Sequence, residues 1–478
     1  MRKEKGCPRM TTIYSSMPGG STVGDLAMAM GGHLTGGDGG SVFHGASIDS
    51  RTVRPGAVFF AIRGERTDGH RFLGIARKQG AVAAVIEHAV KVSSGFPLIR
   101  VKSSPDALGK GASWWRRSAH VPLIAVTGSN GKTTTKEICA HLLGALGKVT
   151  ATHGNLNNSL GVPLTLFEIT KREIAVVVEI AMNRPGEIGA LTKLASPTAG
   201  VVLNAGLAHA WKFRNRRDVA REKTDLIEGL PGGGWAFLNS DDREVWGFRN
   251  KTLARVLGFG LKSGEVRAES VRLDQSGRLS FRLHTPTGVI AVRTGLLGGH
   301  NAWNAAAAGA VAWAFGLDLR EIAHRMESFV EASAMRMERR NLRGGATAIV
   351  DCYNSNPGSL HAALEFVRSI KSKKPVLVIG EMRELGSHSV SQHAAAGREA
   401  ASLHPGLLVG VGPGAWPLVA SARAAGVHEA VWVREGMDAL EAVNGAMTRG
   451  TLVLFKASRA VRLERLAEAL GGRSRNAV

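Results

Sequence analysis

Pro122-Leu-Ile-Ala-Val-Thr-Gly-Ser-Asn-Gly-Lys-Thr-Thr-Thr-Lys-Glu137 passes from a short apolar run, through two glycines, into a segment that starts a helix. Residues 123–126 predict a buried strand, and Gly128 and Gly131 permit a tight turn before Lys132. The backbone N–H groups of such a turn, with the helix N-terminus behind it, hold phosphate oxygens. Gly128, Ser129, Asn130, Gly131, Lys132, Thr133 and Thr134 are therefore the expected phosphate cradle. Lys132 can reach a transferring phosphate, and Thr133 can place its hydroxyl on Mg²⁺. The full Walker pattern requires glycine at 126, where valine stands, so the loop is a shortened Gly-x-x-Gly-Lys-Thr form. Read alone, this stretch leaves one alternative open, a glycine-rich strand–helix turn without a ligand.

The chain has 478 residues, 44% of them hydrophobic. That suggests about three domains with folded cores. Cys7, Cys139 and Cys352 are odd in number and widely spaced, which fits a reducing compartment. Lys and Arg number 61 against 39 Asp and Glu, a formal charge of +22. Such a balance suits anionic partners. No zinc-finger or RNA-binding motif accompanies it, so a generally basic background ranks above a nucleic-acid role. No apolar run of signal-peptide length follows the basic residues 1–10, and none is long enough to span a bilayer. A soluble, cytoplasmic, monomeric protein is expected.

Working outward from the loop, the first unit predicts a helix over 22–30, strands at 58–62, 81–86 and 98–102, and helices opened by Asp68-Gly-His-Arg-Phe72 and near 106–117. The middle unit adds strands near 174–180 and 199–204, helices over 219–228 and 301–315, and antiparallel strands within 250–295. The third alternates strands at 348–351, 376–379, 407–411, 430–433 and 451–455 with helices, the pattern of a doubly wound sheet. The expected class is α/β with mostly parallel sheets, in three domains over 1–117, 118–331 and 332–478. Charged linkers near 116–121 and 331–345, the second bearing glycines, set those boundaries.

Polar groups gather where the strands end. Glu179 closes Ile174-Ala-Val-Val-Val, at the edge where open α/β sheets take ligands, and suits Mg²⁺. His209 follows the strand at 201–204, and a surface-loop histidine explains it equally well. Lys223 reads only as a helix lysine. His300 begins an alanine-rich helix in which Asn301 and Asn304 share a face. Their amides can read a base or a ribose, and helix capping is the other reading of Asn301. In Asp351-Cys-Tyr-Asn-Ser-Asn-Pro357, Asp351, Asn354 and Asn356 can contact ribose while Tyr353 packs on a base. Lys456 and Arg459, after the last strand, suit an anionic peptide. Clusters at the strand ends of both sheets point to a cleft between domains.

Together these motifs resemble the ATP-dependent Mur ligases of peptidoglycan assembly, over about residues 22–465. The resemblance implies a UDP-sugar-binding first domain carried by Asp49-Ser-Arg-Thr-Val-Arg-Pro-Gly56, Phe59-Phe-Ala-Ile-Arg-Gly64 and Asp68-Gly-His-Arg-Phe72, with Ser50 and Arg51 at the substrate. It makes the shortened loop an ATP site and puts Asn158, in Asn155-Leu-Asn-Asn158, at the substrate. It gives Glu179 and His209 to magnesium beside Thr133, with two ions, and makes Lys223 a lysine that reacts with CO₂ to become a carboxylate-like ligand. His300, Asn301 and Asn304 would contact the nucleotide, and Arg336 would bridge toward phosphate when the third domain closes. Ser458 joins Lys456 and Arg459 in a block that meets substrate.

The 351–357 run follows the branch that joins D-Ala-D-Ala to UDP-MurNAc-tripeptide, and the Asp-Asn-Pro-Arg signature of the diaminopimelate-adding branch is absent. Val350, Ser355, Glu381, Ala457, Asp225, Ala181 and Met335 stand where the family usually carries Asp, Ala, Asp, Gly, Glu, Gly and Gly. None of these changes removes a core chemical group. The implied reaction forms an acyl phosphate from the tripeptide carboxylate, which the dipeptide amine then attacks. The alternatives are a family ligase with a changed substrate, a catalytically weak structural homologue, and a nucleic-acid-binding P-loop ATPase. The last has no use for the 49–72 and 351–357 signatures.

Overall fold

A computed structural model describes residues 21–90, 95–170, 172–206, 213, 215–331, 333–370, 372 and 374–471. Three sheets organise them. The first runs in spatial order His33–Thr35, Leu98–Arg100, Ala83–Ile86, Val58–Phe60 and Ala46–Ser47, parallel except at its His33–Thr35 edge. Its first helix, Val23–Met30, starts on a capping box. The Asp25 N–H donates to the Thr22 hydroxyl, and the Thr22 N–H donates to the Asp25 carboxylate. Gly31 ends the helix at φ 67°, in the left-handed region open to glycine.

Helix Ser104–Ala119 turns Leu108, Ala112 and Trp115 inward and continues past residue 117. Its Trp115 indole donates to the Ile169 carbonyl at 2.9 Å, and the ring packs on Phe43 and Phe167. These contacts weld the first unit to the middle one. A single buried apolar cluster runs from Val23 in the first to Ala254 in the second.

The middle sheet has nine strands, ordered Gly288–Leu297, Arg278–Thr285, Val266–Leu273, Arg255–Gly260, Trp235–Asn239, Ala199–Val202, Leu123–Thr127, Ala175–Glu179 and Val149–Ala151. The last three of these in chain order, over 266–297, are antiparallel to one another as expected. Arg255–Gly260 is not. It pairs parallel with Trp235–Asn239. The difference follows burial: Leu257–Gly260 is continuously buried, whereas Arg278–Thr285 alternates buried and exposed positions, with one face in water.

The third sheet is ordered Glu338–Asn341, Thr347–Asp351, Leu452–Lys456, Val376–Gly380, Leu407–Val411 and Ala430–Val433, parallel except for its first strand. That edge strand, Glu-Arg-Arg-Asn, lies inside the segment read from composition as a linker. It is held by pairing with Thr347–Asp351 and by an ion pair of the buried Arg340 with the half-buried Glu338 at 2.8 Å. Cys139 and Cys352 are buried thiols, and Cys7 lies outside the described residues. No described helix is long and apolar enough to cross a membrane.

Candidate active site

The middle and third sheets present their carboxyl ends to one another across a cavity of about 860 Å³. The phosphate loop forms one wall. Strand Leu123–Thr127 is wholly buried, and helix Lys132–Leu143 begins directly after Gly131, which sits at φ 84° and offers no side-chain cap. The first N–H groups of that helix therefore have neither a capping side chain nor an i−4 carbonyl, the arrangement that receives anions. The loop is braced from behind. Ser129 N–H donates to the Asn204 carbonyl at 3.1 Å, and Asn130 N–H donates to the Asn204 side chain at 2.9 Å. Gly128 does not line the cavity. Its role is close packing, since a Cβ there would lie 2.9 Å from that of Leu203.

Lys132 lines the cavity with its ammonium folded onto the Gly128 and Ser129 carbonyls at 2.9 and 3.4 Å. Loss of water lowers its pKa; Arg336 adds to the shift and Glu179 opposes it. Thr133 donates to one oxygen of the buried Glu179 carboxylate at 2.7 Å, and Asn157 donates to the other at 2.8 Å. This is an oxygen donor set suited to a hard divalent cation.

Lys223 is buried on helix Arg216–Glu228. Desolvation brings its amine down to about 7; the charge of Lys132 pushes the same way and Glu222 opposes. Lys223 is not among the residues that line the cavity, and its lowered pKa makes the neutral amine, the form that reacts with CO₂, accessible near neutral pH. His209 lies outside the described residues.

Across the cavity, helix Asn301–Ala314 places Asn304 against the loop. The Asn304 amide donates to the Asn301 side chain at 2.7 Å, and Asn301 donates to the Leu297 carbonyl at 2.8 Å. Asn301 thus orients Asn304 rather than capping the helix, whose N-cap is His300. His300 is kept neutral by burial, and its Nδ1 has no partner among the described residues.

The third domain reaches the loop directly. The Asn356 amide donates to the Asn130 side chain at 2.8 Å. The Arg336 guanidinium stacks 4.1 Å from the Tyr353 ring centroid. Asp351 and Lys456, register partners at the ends of neighbouring strands, pair at 2.9 Å, and Lys456 also donates to the Asn354 carbonyl at 2.7 Å.

The remaining expected residues divide between this cavity and other places. Asn158 lines the cavity, but its side-chain oxygen accepts from the Leu160 and Gly161 N–H groups. Ser458 accepts from the Arg383 N–H, and Arg459 is paired with Glu464 at 2.5 Å. A second cavity of about 330 Å³ opens beside them, lined by Arg383, Arg434, Arg462 and Arg465 against Glu381 and Glu435. Ser50 and Arg51 are not in the main cavity. Arg51 makes a two-point pair with Asp49, holding that carboxyl down at about 2.

The chain is 34% identical over 471 residues to the UDP-N-acetylmuramoyl-tripeptide--D-alanyl-D-alanine ligase of Mycobacterium tuberculosis, covering 88% of this chain and 91% of that one. Three family models also match: Mur ligase family, catalytic domain, at residues 42–116; Mur ligase middle domain at 126–312; and Mur ligase, glutamate ligase domain, at 335–459. The chain belongs to the Mur ligase family. Among solved structures, MurF from Acinetobacter baumannii superposes with a TM-score of 0.85 at 30% identity, over 94% of this chain and 98% of that one. MurF from Thermotoga maritima in complex with ADP gives 0.77 at 28% identity, over 89% and 97%.

Asn157, Asn204 and Glu331 are among the residues at the site that sequence reading of this Mur ligase missed. Asn204 ends the run Val201-Val-Leu, a strand-end signal of the kind that singled out Glu179. Gly131 carries a direct prediction. A Cβ there would meet the Asn304 oxygen at 2.2 Å, at a φ that costs an L-residue ~1 kcal/mol. Gly131→Ala is expected to lose ~2 kcal/mol of stability and to bind ADP at least about tenfold more weakly by calorimetry. Unchanged affinity would show that the loop does not carry the nucleotide.

Proposed function

We propose that this Mur ligase uses ATP to join D-Ala-D-Ala to the terminal carboxylate of UDP-MurNAc-tripeptide, as its relatives are named for doing. The observation that most supports this is the meeting of the phosphate loop with the 351–357 turn at Asn130 and Asn356. A phosphate-transfer loop and the segment that resembles the dipeptide-adding branch thus face one cavity.

In this reading Lys132 and the uncapped helix N-terminus hold the γ-phosphate, and the tripeptide carboxylate attacks it to give an acyl phosphate and ADP. The dipeptide amine attacks the acyl carbon, an amide forms and phosphate leaves. The protein's share is positioning and charge stabilisation. Lys223 gains its carboxyl group by an N–C bond to CO₂ with release of a proton. It would then join Thr133, Glu179 and His209 as holders of two Mg²⁺ ions, which supply charge neutralisation at the phosphates. Ser50 and Arg51 meet the sugar nucleotide. His300, Asn304, Asp351, Tyr353 and Asn354 meet ATP. The arginine-lined second cavity beside Ser458 and Arg459 suits the dipeptide carboxylate. A cytoplasmic monomer completes the reading.

The test is ADP release with UDP-MurNAc-tripeptide, with and without D-Ala-D-Ala, at several Mg²⁺ concentrations. Turnover is expected only with both substrates present. Turnover indifferent to the dipeptide, or none, sinks the proposal. Tripeptides ending in lysine and in meso-diaminopimelate then assign the third residue.

A further inference from the structure

The segment between the middle and third domains grips the helix that follows the phosphate loop. Thr134, two residues after Lys132, donates its hydroxyl to Glu331 at 2.7 Å. One turn farther along, Glu137 accepts from both the N–H and the hydroxyl of Ser333. Farther still, the His141 ring packs edge-on against Phe329 at 5.6 Å and contacts the Arg325 carbonyl at 3.0 Å. The His141 contacts belong to the packing of two helices of one domain. The Glu331 and Ser333 contacts do not, because these residues sit in the passage leading to Arg336.

Glu331 lines the cavity. Burial pushes its carboxyl up to about 8; the Thr134 bond and Arg336 oppose this, while Glu137 and Asp351 add to it. At neutral pH it is therefore an uncharged partner that does not repel a polyphosphate. Beyond Ser333 the backbone turns sharply. Met335 and Met337 both sit at positive φ, 61° and 49°, on either side of Arg336. A passage turned so tightly has little slack, so the anchor at Glu331 and Ser333 fixes where the Arg336 guanidinium emerges.

We propose that Glu331 and Ser333 form a latch on the phosphate-loop helix that positions Arg336 for phosphoryl transfer. The latch rests on the ligase reading above for its kinetic consequence, and on geometry alone for its mechanical one. Glu331 is a positioning residue: it acts through Thr134 and Arg336 and not on a reacting atom.

The experiment compares Glu331→Ala, Glu331→Gln and Ser333→Ala in the full chain, each also in an Arg336→Ala background. Glu331→Ala is expected to lower kcat about tenfold with KM for ATP changed less than about twofold, the signature of a displaced catalytic group. Glu331→Gln keeps an acceptor for Thr134 and is expected to recover at least half of the wild-type kcat. In the Arg336→Ala background, Glu331→Ala should cost less than about twofold more, because the group it positions is gone. Losses that multiply, or a kcat unmoved by Glu331→Ala, overturn the proposal.

Wild-type turnover in the same assay reports separately on the ligase reading. Should the wild type be inactive, amide hydrogen exchange still decides. Peptides spanning 335–341 should exchange faster in Glu331→Ala and Ser333→Ala and not in Glu331→Gln. Equal exchange in all forms refutes the latch.

Discussion

Lys132→Ala is expected to cut dipeptide-dependent turnover by about 10³-fold, with little change in thermal stability. The lysine stands at the first position of an uncapped helix, its ammonium resting on two carbonyls of its own loop. Those contacts form without ligand and are weak competition for a triphosphate. On binding, the ammonium can swing from the carbonyls to the γ-phosphate without moving the backbone. Its depressed pKa reflects scarce water at the site, and the same scarcity makes its attraction for phosphate strong. The loss should appear in kcat more than in KM, because charge on the transferring group grows toward the transition state. Lys132→Arg should rescue little, since a planar guanidinium does not fit a space shaped for a point charge. Steady-state kinetics of both variants, with melting curves as a folding control, check the prediction. A tenfold loss or less would remove Lys132 from the chemistry.

Lys223→Met should separate stability from function. In the folded chain the amine titrates at about 7, against an ordinary lysine value of 10.5. Between those values the unfolded chain holds a proton that the folded chain does not, so stability falls as pH drops from about 10 toward 7. Below about 7 both states are protonated and the whole penalty is present. Methionine of similar length removes it. The variant should therefore be the more stable protein at pH 6, by of order 4 kcal/mol, with the difference shrinking as pH rises toward 10. Denaturant melts in CO₂-free buffer measure this. Turnover should fall by about 10³-fold, and bicarbonate, which should raise the activity of CO₂-depleted wild type, should leave the variant unchanged. A variant that is less stable at pH 6, or one that still turns over, would contradict the assignment.

What could be read from residues alone followed a physical divide. Parallel strands covered on both faces are continuous apolar runs, so Val176-Val-Val and Val376-Leu-Val-Ile announced themselves. The phosphate loop was equally plain, because its turn depends on glycines within the same short stretch. Glu338–Asn341 was not, since four polar residues become a strand only by pairing with Thr347–Asp351. At the site, Glu179 was visible from its place at a strand end. Lys223 acquires its chemistry from burial, which no local pattern encodes, and only the family resemblance marked it. Asn157 and Asn158 are neighbours of the same type, yet one contacts Glu179 and the other satisfies backbone N–H groups. Glu331 was invisible because its environment is assembled from a helix almost 200 residues earlier in the chain.

The apolar cluster shared by the first two units sets how the molecule can move. Among the described residues no comparable cluster joins the third unit to them. Its own cores are separate, with Leu297 at the margin, and beyond the Glu331 and Ser333 contacts it meets the loop through a pair of asparagine side chains. Two amides part at far less cost than a core. A fixed anvil and a single moving hammer are the expected behaviour, the third unit swinging as one body against the other two. On the proposed assignments, the sugar nucleotide and the ATP loop lie on the anvil, already in register. The hammer carries in the dipeptide together with Arg336 and the 351–354 turn, so phosphoryl transfer and amide formation both wait for its arrival.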